Sequence, residues 1–192
     1  MQSKFFGKII ILTVLVSILP LLHAEDKRTI PLDMYLIVDG STALKGSKDD
    51  AISWINQQVV DRILIDGDRI TVWSAGDRSR IIYSDTISAS IGKGALKDKL
   101  KALETDGKTA DFSGAMKDVL SKVSQTPKER LAYTMLITAS AEALEPALND
   151  NSQTLLRWFR SEKYERWQVL VIEPDIGRKV RQKAQAYMSS IR

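Results

Sequence analysis

A carboxylate and a hydroxyl group, two residues apart, follow the first strand-like apolar segment after the amino-terminal region. The segment reads Met34-Tyr-Leu-Ile-Val-Asp39-Gly-Ser41-Thr-Ala43. Carboxylate and hydroxyl oxygens can replace part of the water around Mg²⁺, which requires a near-octahedral shell of oxygen ligands. Asp39 and Ser41 are therefore the first residues in this chain to consider as metal ligands or as contacts for a partner.

The same segment resembles the opening strand and metal motif of von Willebrand factor A (vWA) domains. The family motif is Asp-x-Ser-x-Ser, and this chain has Asp39 and Ser41 at its first two positions but Ala43 at the third. The resemblance implies a Rossmann-like fold whose three loops hold a metal ion. In that fold an acidic partner is usually bound through the metal ion. One ligand of the first loop is missing here.

The other two loops implied by the resemblance are also incomplete. The family has a Thr before its central helix. This chain offers Thr109, but a gapless match of Asp111-Phe-Ser-Gly-Ala-Met116 puts Ala110 at that position. The family has an Asp after strand four, where this chain has Ala139. The resemblance thus implies a degenerate metal-ion-dependent adhesion site without a bound cofactor, in which the vestigial ligands are Asp39, Ser41 and Thr109.

Catalytic chemistry has few candidates in this sequence. His23 is the only histidine, it lies within residues 1–24, and the chain has no cysteine. Without that segment, Ser-His-Asp and Cys-His triads and zinc sites built from imidazole or thiolate are excluded. Ser41 or Ser140 could act as a nucleophile only with a Lys as base, because no Gly-x-Ser-x-Gly elbow is present. We expect a protein that is not an enzyme, with an exported Ser hydrolase as a remote alternative.

Residues 1–24 have the pattern of a secretory signal peptide. Lys4 and Lys8 precede an apolar run from Ile9 to Leu19, and Ala24 offers a small residue at the cut site. The run is shorter than the ~20 residues that a spanning helix needs. We expect cleavage after Ala24 and a periplasmic or secreted protein, with an uncleaved membrane anchor as the alternative. The whole-chain charge of +4 gives no support for a nucleic-acid partner.

Apolar segments alternate with amphipathic helical patterns through residues 25–192, which predicts one α/β domain covered on both faces. Together with the resemblance, this gives a mostly parallel sheet of about five strands in the order 3-2-1-4-5, with one antiparallel edge strand. The predicted strands are Met34–Asp39, Arg69–Ala75, Ser79–Ser84, Leu131–Thr138 and Gln168–Glu173. The predicted helices begin after a capping box at Ser47–Asp50, near Gly94, near Phe112, at Ser152 and after Asp175.

The functional hypothesis is a non-catalytic binding module that meets a protein partner in the cell envelope, with no small-molecule substrate. Ligands of open parallel sheets bind beyond the carboxyl ends of the strands, which places the partner on the loops Gly40–Gly46, Asp106–Ser113 and Ala139–Pro146. The alternative is a Mg²⁺- or Mn²⁺-dependent adhesion domain in which Asp111 supplies the absent carboxylate. A rival surface lies around Trp158 and Trp167. The predicted partner-binding residues are Thr42, Lys45, Lys108, Asp111 and Ser140.

Overall fold

Five strands form one mixed sheet in the part of the chain that the computed structural model describes, residues 28–88, 91–139 and 167–172. The buried strand β1 spans Leu32–Asp39, and all eight of its residues are buried. The remaining strands are β2 (Arg69–Ala75), β3 (Ser79–Thr86), β4 (Leu131–Ile137) and β5 (Trp167–Ile172).

The strands lie in the order β3-β2-β1-β4-β5. β1 pairs in parallel with β2 and β4, and β4 pairs in parallel with β5. β3 pairs antiparallel with β2 at the edge of the sheet. The strand order, the parallel core and the antiparallel edge confirm the predicted architecture. They place the carboxyl ends of β1, β2, β4 and β5 along one side of the sheet.

Two helices cover one face of the sheet. α1 spans Lys48–Trp54 and continues as a π-helix over Ile55–Val60, and α2 spans Ile91–Lys101. Both pack on a core that includes alternate residues of β1. The sequence spaces Ile52, Ile55, Val59 and Ile63 along one predicted face of the first helix, and all four are buried. The last two turns nevertheless have i→i+5 bonds, as from the Asp61 amide to the Asn56 carbonyl.

The opposite face carries a single helix among the described residues, α3, which spans Phe112–Val123. Its apolar residues recur at helical spacing and pack on Tyr35, Ile37 and Trp73 of the sheet. Asp111 caps the helix by accepting a hydrogen bond from the Gly114 amide at 2.8 Å. The helix therefore begins at Phe112, inside the predicted loop Asp106–Ser113, which we call the central loop.

Buried aspartates tie together the amino-terminal ends of the strands. Asp33 accepts hydrogen bonds from Nε of Arg69 at 2.8 Å and Nε of Arg130 at 2.5 Å. Asp68 accepts bonds from Nη1 and Nη2 of Arg28 at 2.9 and 2.5 Å. Because buried charges persist only when paired and hydrogen-bonded, these pairs fix this end of the sheet. The sequence did not predict them.

One predicted cap is wrong. Ser47 precedes α1, but its side chain makes no capping bond, and its buried hydroxyl has no partner within the described residues. Its backbone (φ −116°, ψ 10°) is outside the extended region typical of capping residues.

Several predicted segments lie outside the described residues: the signal peptide of residues 1–24, the helix near Ser152–Arg160 and the carboxyl-terminal helix. None of the described helices is long and apolar enough to cross a bilayer.

Candidate functional site

Three chain segments converge where β1 and β2 end: Gly40–Gly46, Gly76–Arg78 and Asp106–Asp111. Together with Ala139, these segments form a surface that we call the loop face. The Gly107 amide donates to the Gly40 carbonyl at 3.0 Å, and the Thr42 amide donates to the Gly107 carbonyl at 2.8 Å. A Cβ on Gly107 would lie 3.0 Å from the Asp77 nitrogen. The close approach of these backbones therefore depends on glycine.

Asp39 is fully buried at the centre of the loop face. Its Oδ1 accepts a hydrogen bond from the Ser41 amide at 2.8 Å. Its Oδ2 accepts one from the Ala139 amide at 3.2 Å. Each oxygen of the predicted vestigial ligand thus holds a backbone amide, and the carboxylate joins the loop after β1 to the start of the loop after β4.

The hydroxyl of Ser41 also serves its own loop. Its Oγ accepts a hydrogen bond from the Ala43 amide at 3.3 Å, which caps a short 3₁₀ turn over Thr42–Leu44. Leu44 is buried beneath that turn. Thr42 and Lys45 are exposed. The turn therefore directs one apolar side chain into the core and leaves the two predicted partner contacts open to solvent.

Thr109 is held by an aspartate that the sequence did not single out. Oδ1 of Asp77 accepts hydrogen bonds from the Lys108 amide at 2.7 Å, the Thr109 amide at 2.9 Å and the Thr109 hydroxyl at 3.2 Å. The bond from the Thr109 amide is the main cause that lowers the pKa of Asp77 below its ordinary value. Asp77 thereby connects the β2–β3 turn to the central loop.

Asp111 uses both of its carboxylate oxygens within the fold. Besides capping α3 through Oδ1, it accepts a hydrogen bond at Oδ2 from the Ser79 amide at 3.0 Å. Its own amide donates to the Gly76 carbonyl at 2.8 Å. A Cβ on Gly114 would lie 2.2 Å from Oδ2 of Asp111, so this arrangement also requires glycine.

These residues, as arranged, do not form the oxygen shell that Mg²⁺ needs. Asp39 and Asp111 direct their oxygens to backbone amides, and Thr109 donates its hydroxyl hydrogen to Asp77. No group of three or more His, Cys, Asp or Glu that could hold a metal ion occurs in the described ranges. A divalent ion at this position would find Asp39 as a carboxylate ligand without the second hydroxyl and the second carboxylate that positions 43 and 139 lack.

The structure brings together most of the predicted partner contacts. Thr42, Lys45 and Lys108 are exposed and lie on segments joined by hydrogen bonds, while Asp111 is half-buried at the base of the same face. Ser140 lies outside the described residues, as does Trp158 of the rival surface. Trp167 begins β5 at the opposite end of the strand from the loops.

Asp77 and its neighbour Arg78, both exposed, are the functional candidates that the sequence missed. The only local signal was the tight turn Gly76-Asp77-Arg78 between two predicted strands. The contact with Thr109 spans 32 residues, so no short spacing indicates it. The parallel bridge between Ser41 and Gly107 is equally non-local.

No protein-family model matches this chain. An uncharacterised protein of Treponema pallidum (strain Nichols) is 20% identical over 180 residues, which cover 88% of this chain and 80% of that protein.

Solved structures resemble the fold more clearly. The manganese-loaded TRAP protein of Plasmodium vivax has a TM-score of 0.56 at 18% identity over 84% of this chain. A von Willebrand factor type A protein of Catenulispora acidiphila has a TM-score of 0.50 at 10% identity over the same share. The chain spans 63% and 43%, respectively, of those longer chains. The protein therefore has a vWA-like fold, as the resemblance implied.

Proposed function

We propose that this protein, whose fold is vWA-like, is a non-catalytic protein-binding module that meets its partner through the loop face without a bound metal ion. The observation that carries this proposal is the hydrogen bonding of the carboxylate oxygens at the loop face. Those of Asp39 and Asp111 accept backbone amides, whereas Thr42, Lys45 and Lys108 remain exposed. Such a face presents exposed side chains to a partner on a rigid scaffold. It does not present the open coordination position of a metal ion.

The rigidity of the loop face supports a recognition role. Its segments are joined through Gly107, Asp77 and Asp111, each of which contacts a segment distant in sequence. A preformed surface loses less conformational entropy when a partner binds. Recognition residues are commonly placed on loops that a rigid scaffold positions. The exposed side chains can therefore vary in type without disturbing the buried sheet.

Metal-dependent adhesion is the second candidate function for the same face. The Plasmodium vivax TRAP structure is described as manganese-loaded. A comparable ion here would have to bind through Asp39 oxygens that each already accept an amide, with alanine at positions 43 and 139 in place of two ligands. We therefore favour metal-free binding, which divalent-ion titration can overturn.

We also propose that the protein acts outside the cytoplasm, with cleavage after Ala24 and a partner in the cell envelope. The support is the composition of residues 1–24. Mass spectrometry of the exported protein should give a chain that begins at Glu25. An intact Met1 in the membrane fraction would show that the segment is an anchor instead.

The binding proposal is tested by a pull-down of the protein from envelope extract with single variants. Thr42→Arg and Lys108→Glu should each lose the partner while their melting temperatures stay near that of the parent, because surface changes usually alter stability by under ~0.5 kcal/mol. Lys99→Glu is the matched control, since Lys99 is an exposed lysine on α2, outside the loop face.

A different result would reassign the surface. If Trp167→Ala removed the partner from a folded protein while both loop variants bound normally, the loop face would not be the binding site. Retention of the partner by Thr42→Arg, Lys108→Glu and Trp167→Ala would equally contradict the proposal.

A further inference from the structure

A polar groove of about 350 Å³ lies on the face of the sheet that carries α3, near the amino-terminal end of β1. It is at the opposite end of the sheet from the loop face. Its walls come from β1, β2, β3 and the last turn of α3, and the residues that matter here are Tyr35, Arg69, Thr71, Ser84, Thr86 and Lys122. Volumes of this order are typical of small-ligand sites.

The groove exists because the residue pairs of β2 and β3 change from apolar to polar along the strands. On the α3 side, Trp73 pairs with Ile81 and contributes to the core beneath the helix. Towards the amino-terminal end of β2, the next pair on that side is Thr71 with Ser84, whose hydroxyl oxygens are 3.0 Å apart. Ser84 is exposed, whereas Thr71 is buried behind it. The pair is therefore open to the groove through Ser84.

Arg69 is held in a fixed orientation at the edge of this space. Its Nε and Nη2 both donate to the buried carboxylate of Asp33. Its Nη1 has no hydrogen-bond partner among the described residues, and the side chain is 48% exposed. A guanidinium whose direction is already set loses little entropy when it binds an oxyanion.

Lys122 supplies a second cation to the groove from the last turn of α3. It forms no ion pair within the described ranges. The charge of Asp33 is already shared between Arg69 and Arg130. The other carboxylate of the groove is Asp85, whose Oδ1 accepts the Thr86 amide. The lining itself thus holds two cations and two carboxylates. Arg130, which pairs with Asp33 from outside the lining, adds one further positive charge.

The pKa values of two lining residues are displaced by burial and by the ion pair with Asp33. Burial raises the pKa of the Tyr35 phenol. The hydrogen bond to Asp33 raises the pKa of Arg69. Groups with displaced pKa values gather at binding sites, as they also do in structural ion pairs.

We infer that this groove binds a small polar ligand bearing an oxyanion, either a carboxylate or a phosphate. Nη1 of Arg69 and the Lys122 ammonium would hold the anionic oxygens. The hydroxyls of the exposed Ser84 and Thr86 would meet the polar remainder of the ligand, with Thr71 bonded to Ser84 behind them. This site is separate from the loop face and does not depend on the binding function proposed there.

The test is an NMR titration of the ¹⁵N-labelled protein with succinate, with inorganic phosphate and with neutral glucose. Succinate or phosphate should shift the amide signals of Thr71, Ser84 and Thr86 in a saturable way, and the stronger of the two identifies the oxyanion. Shifts from glucose alone would show that the groove recognises hydroxyls without charge. No saturable shift from either anion would show that it is only a solvated sheet surface. Either result overturns the inference.

Two charge variants of α3 locate the site. Lys122→Glu should weaken the titrated anion by about tenfold or more, which is the effect of losing one charge-assisted contact. Lys117→Glu makes the same change of charge on the exposed side of the helix, away from the groove, and should change affinity by less than about twofold. Equal losses in the two variants would mean that the anion responds to overall charge and has no site. Lys122→Gln provides a milder change if the reversal disturbs folding.

Discussion

The carboxylate of Asp39 and the backbone amide of Ala139 are joined by a 3.2 Å hydrogen bond across the carboxyl ends of β1 and β4. Ala139 stands where the vWA resemblance implies an acidic metal ligand. A carboxylate there would lie beside Asp39, and a cation between two like charges at close range would be favoured. Alanine adds no second carboxylate, and Asp39 meets only the backbone amide of that residue. The missing carboxylate is the physical basis of the metal-free proposal.

Divalent ions should leave the stability of the protein unchanged. An ion present at a hundred times its dissociation constant would add ~2.7 kcal/mol to the free energy of unfolding. Because Ala43 and Ala139 stand in place of ligands, we expect no shift of the melting curve in millimolar Mg²⁺ or Mn²⁺. Thermal unfolding with and without chelator measures this. A clear increase that disappears in Asp39→Ala would establish a metal site.

Restoring the missing ligands should create metal affinity. The double variant Ala43→Ser, Ala139→Asp gives the first and third loops the residues that the family motif contains. If these loops keep the family geometry, Mn²⁺ should raise the melting temperature of the double variant and not that of the parent. Calorimetric titration measures the gained affinity directly. Failure of the double variant to bind Mn²⁺ would mean that the loops have moved away from the metal-binding arrangement.

A side chain at position 107 should strain the loop face. The Cβ of Gly107→Ala would lie 3.0 Å from the Gly76 Cα and 3.1 Å from the Gly40 carbonyl oxygen, and backbone atoms cannot move aside cheaply. We expect a loss of about 1–3 kcal/mol in the free energy of unfolding, the usual cost of overpacking. Gly46→Ala is the matched control because its Cβ would meet nothing within 4 Å. Chemical denaturation of both variants measures this loss. An unchanged free energy of unfolding in Gly107→Ala would show that the loops are easily separated.

Removing the carboxylate of Asp111 should loosen two elements at once. Asp111→Ala loses the cap of α3 and the bond to the Ser79 amide. The expected cost is about 1–2 kcal/mol, typical of a lost helix cap. Asp111→Asn retains an acceptor for one amide and should cost less. Hydrogen exchange should speed up at Gly114 and Ser79, and protection unchanged at both amides would contradict the assignment.

The parts of this structure that the sequence predicted are those governed by local patterns. β1 and β4 are mostly apolar, and α3 repeats buried residues at helical spacing from Phe112 onwards. Such periodicity reflects burial on one or both faces of an element. The predicted stripe of the first helix was equally accurate, but the same spacing is compatible with the π-helix over Ile55–Val60.

The unpredicted parts depend on contacts between distant residues. Asp77 meets Thr109 across 32 positions, and Asp39 meets Ala139 across 100. Ser47 shows the converse error: its spacing to Asp50 fits a capping box, but the chain enters α1 in a conformation that leaves the hydroxyl unbonded. Local spacing therefore located the candidate loops, whereas tertiary packing decided which atoms in them are already bonded.

The ion pairs of Asp33 should make stability depend on pH in the acid range. Burial of the Asp33 carboxyl acts to raise its pKa, but the hydrogen bonds and charges of Arg69 and Arg130 outweigh burial and hold the pKa below its ordinary value. The folded protein therefore binds this proton less readily than the unfolded chain, whose Asp pKa is about 3.9. The stabilisation is fully present above that value and is lost as the pH falls through the lower folded-state pKa.

Asp33→Asn tests this assignment. At neutral pH the variant should lose about 3 kcal/mol, because a buried pair is broken and its cations are left without a counter-charge. The difference from the parent should stay constant from neutral pH to about pH 4 and shrink below it. Asp85→Asn, an exposed carboxylate on β3, should show neither the large loss nor its acid dependence. Urea unfolding at a series of pH values measures both variants, and a difference that persists unchanged in strong acid would mean that the charge of Asp33 contributes nothing to stability.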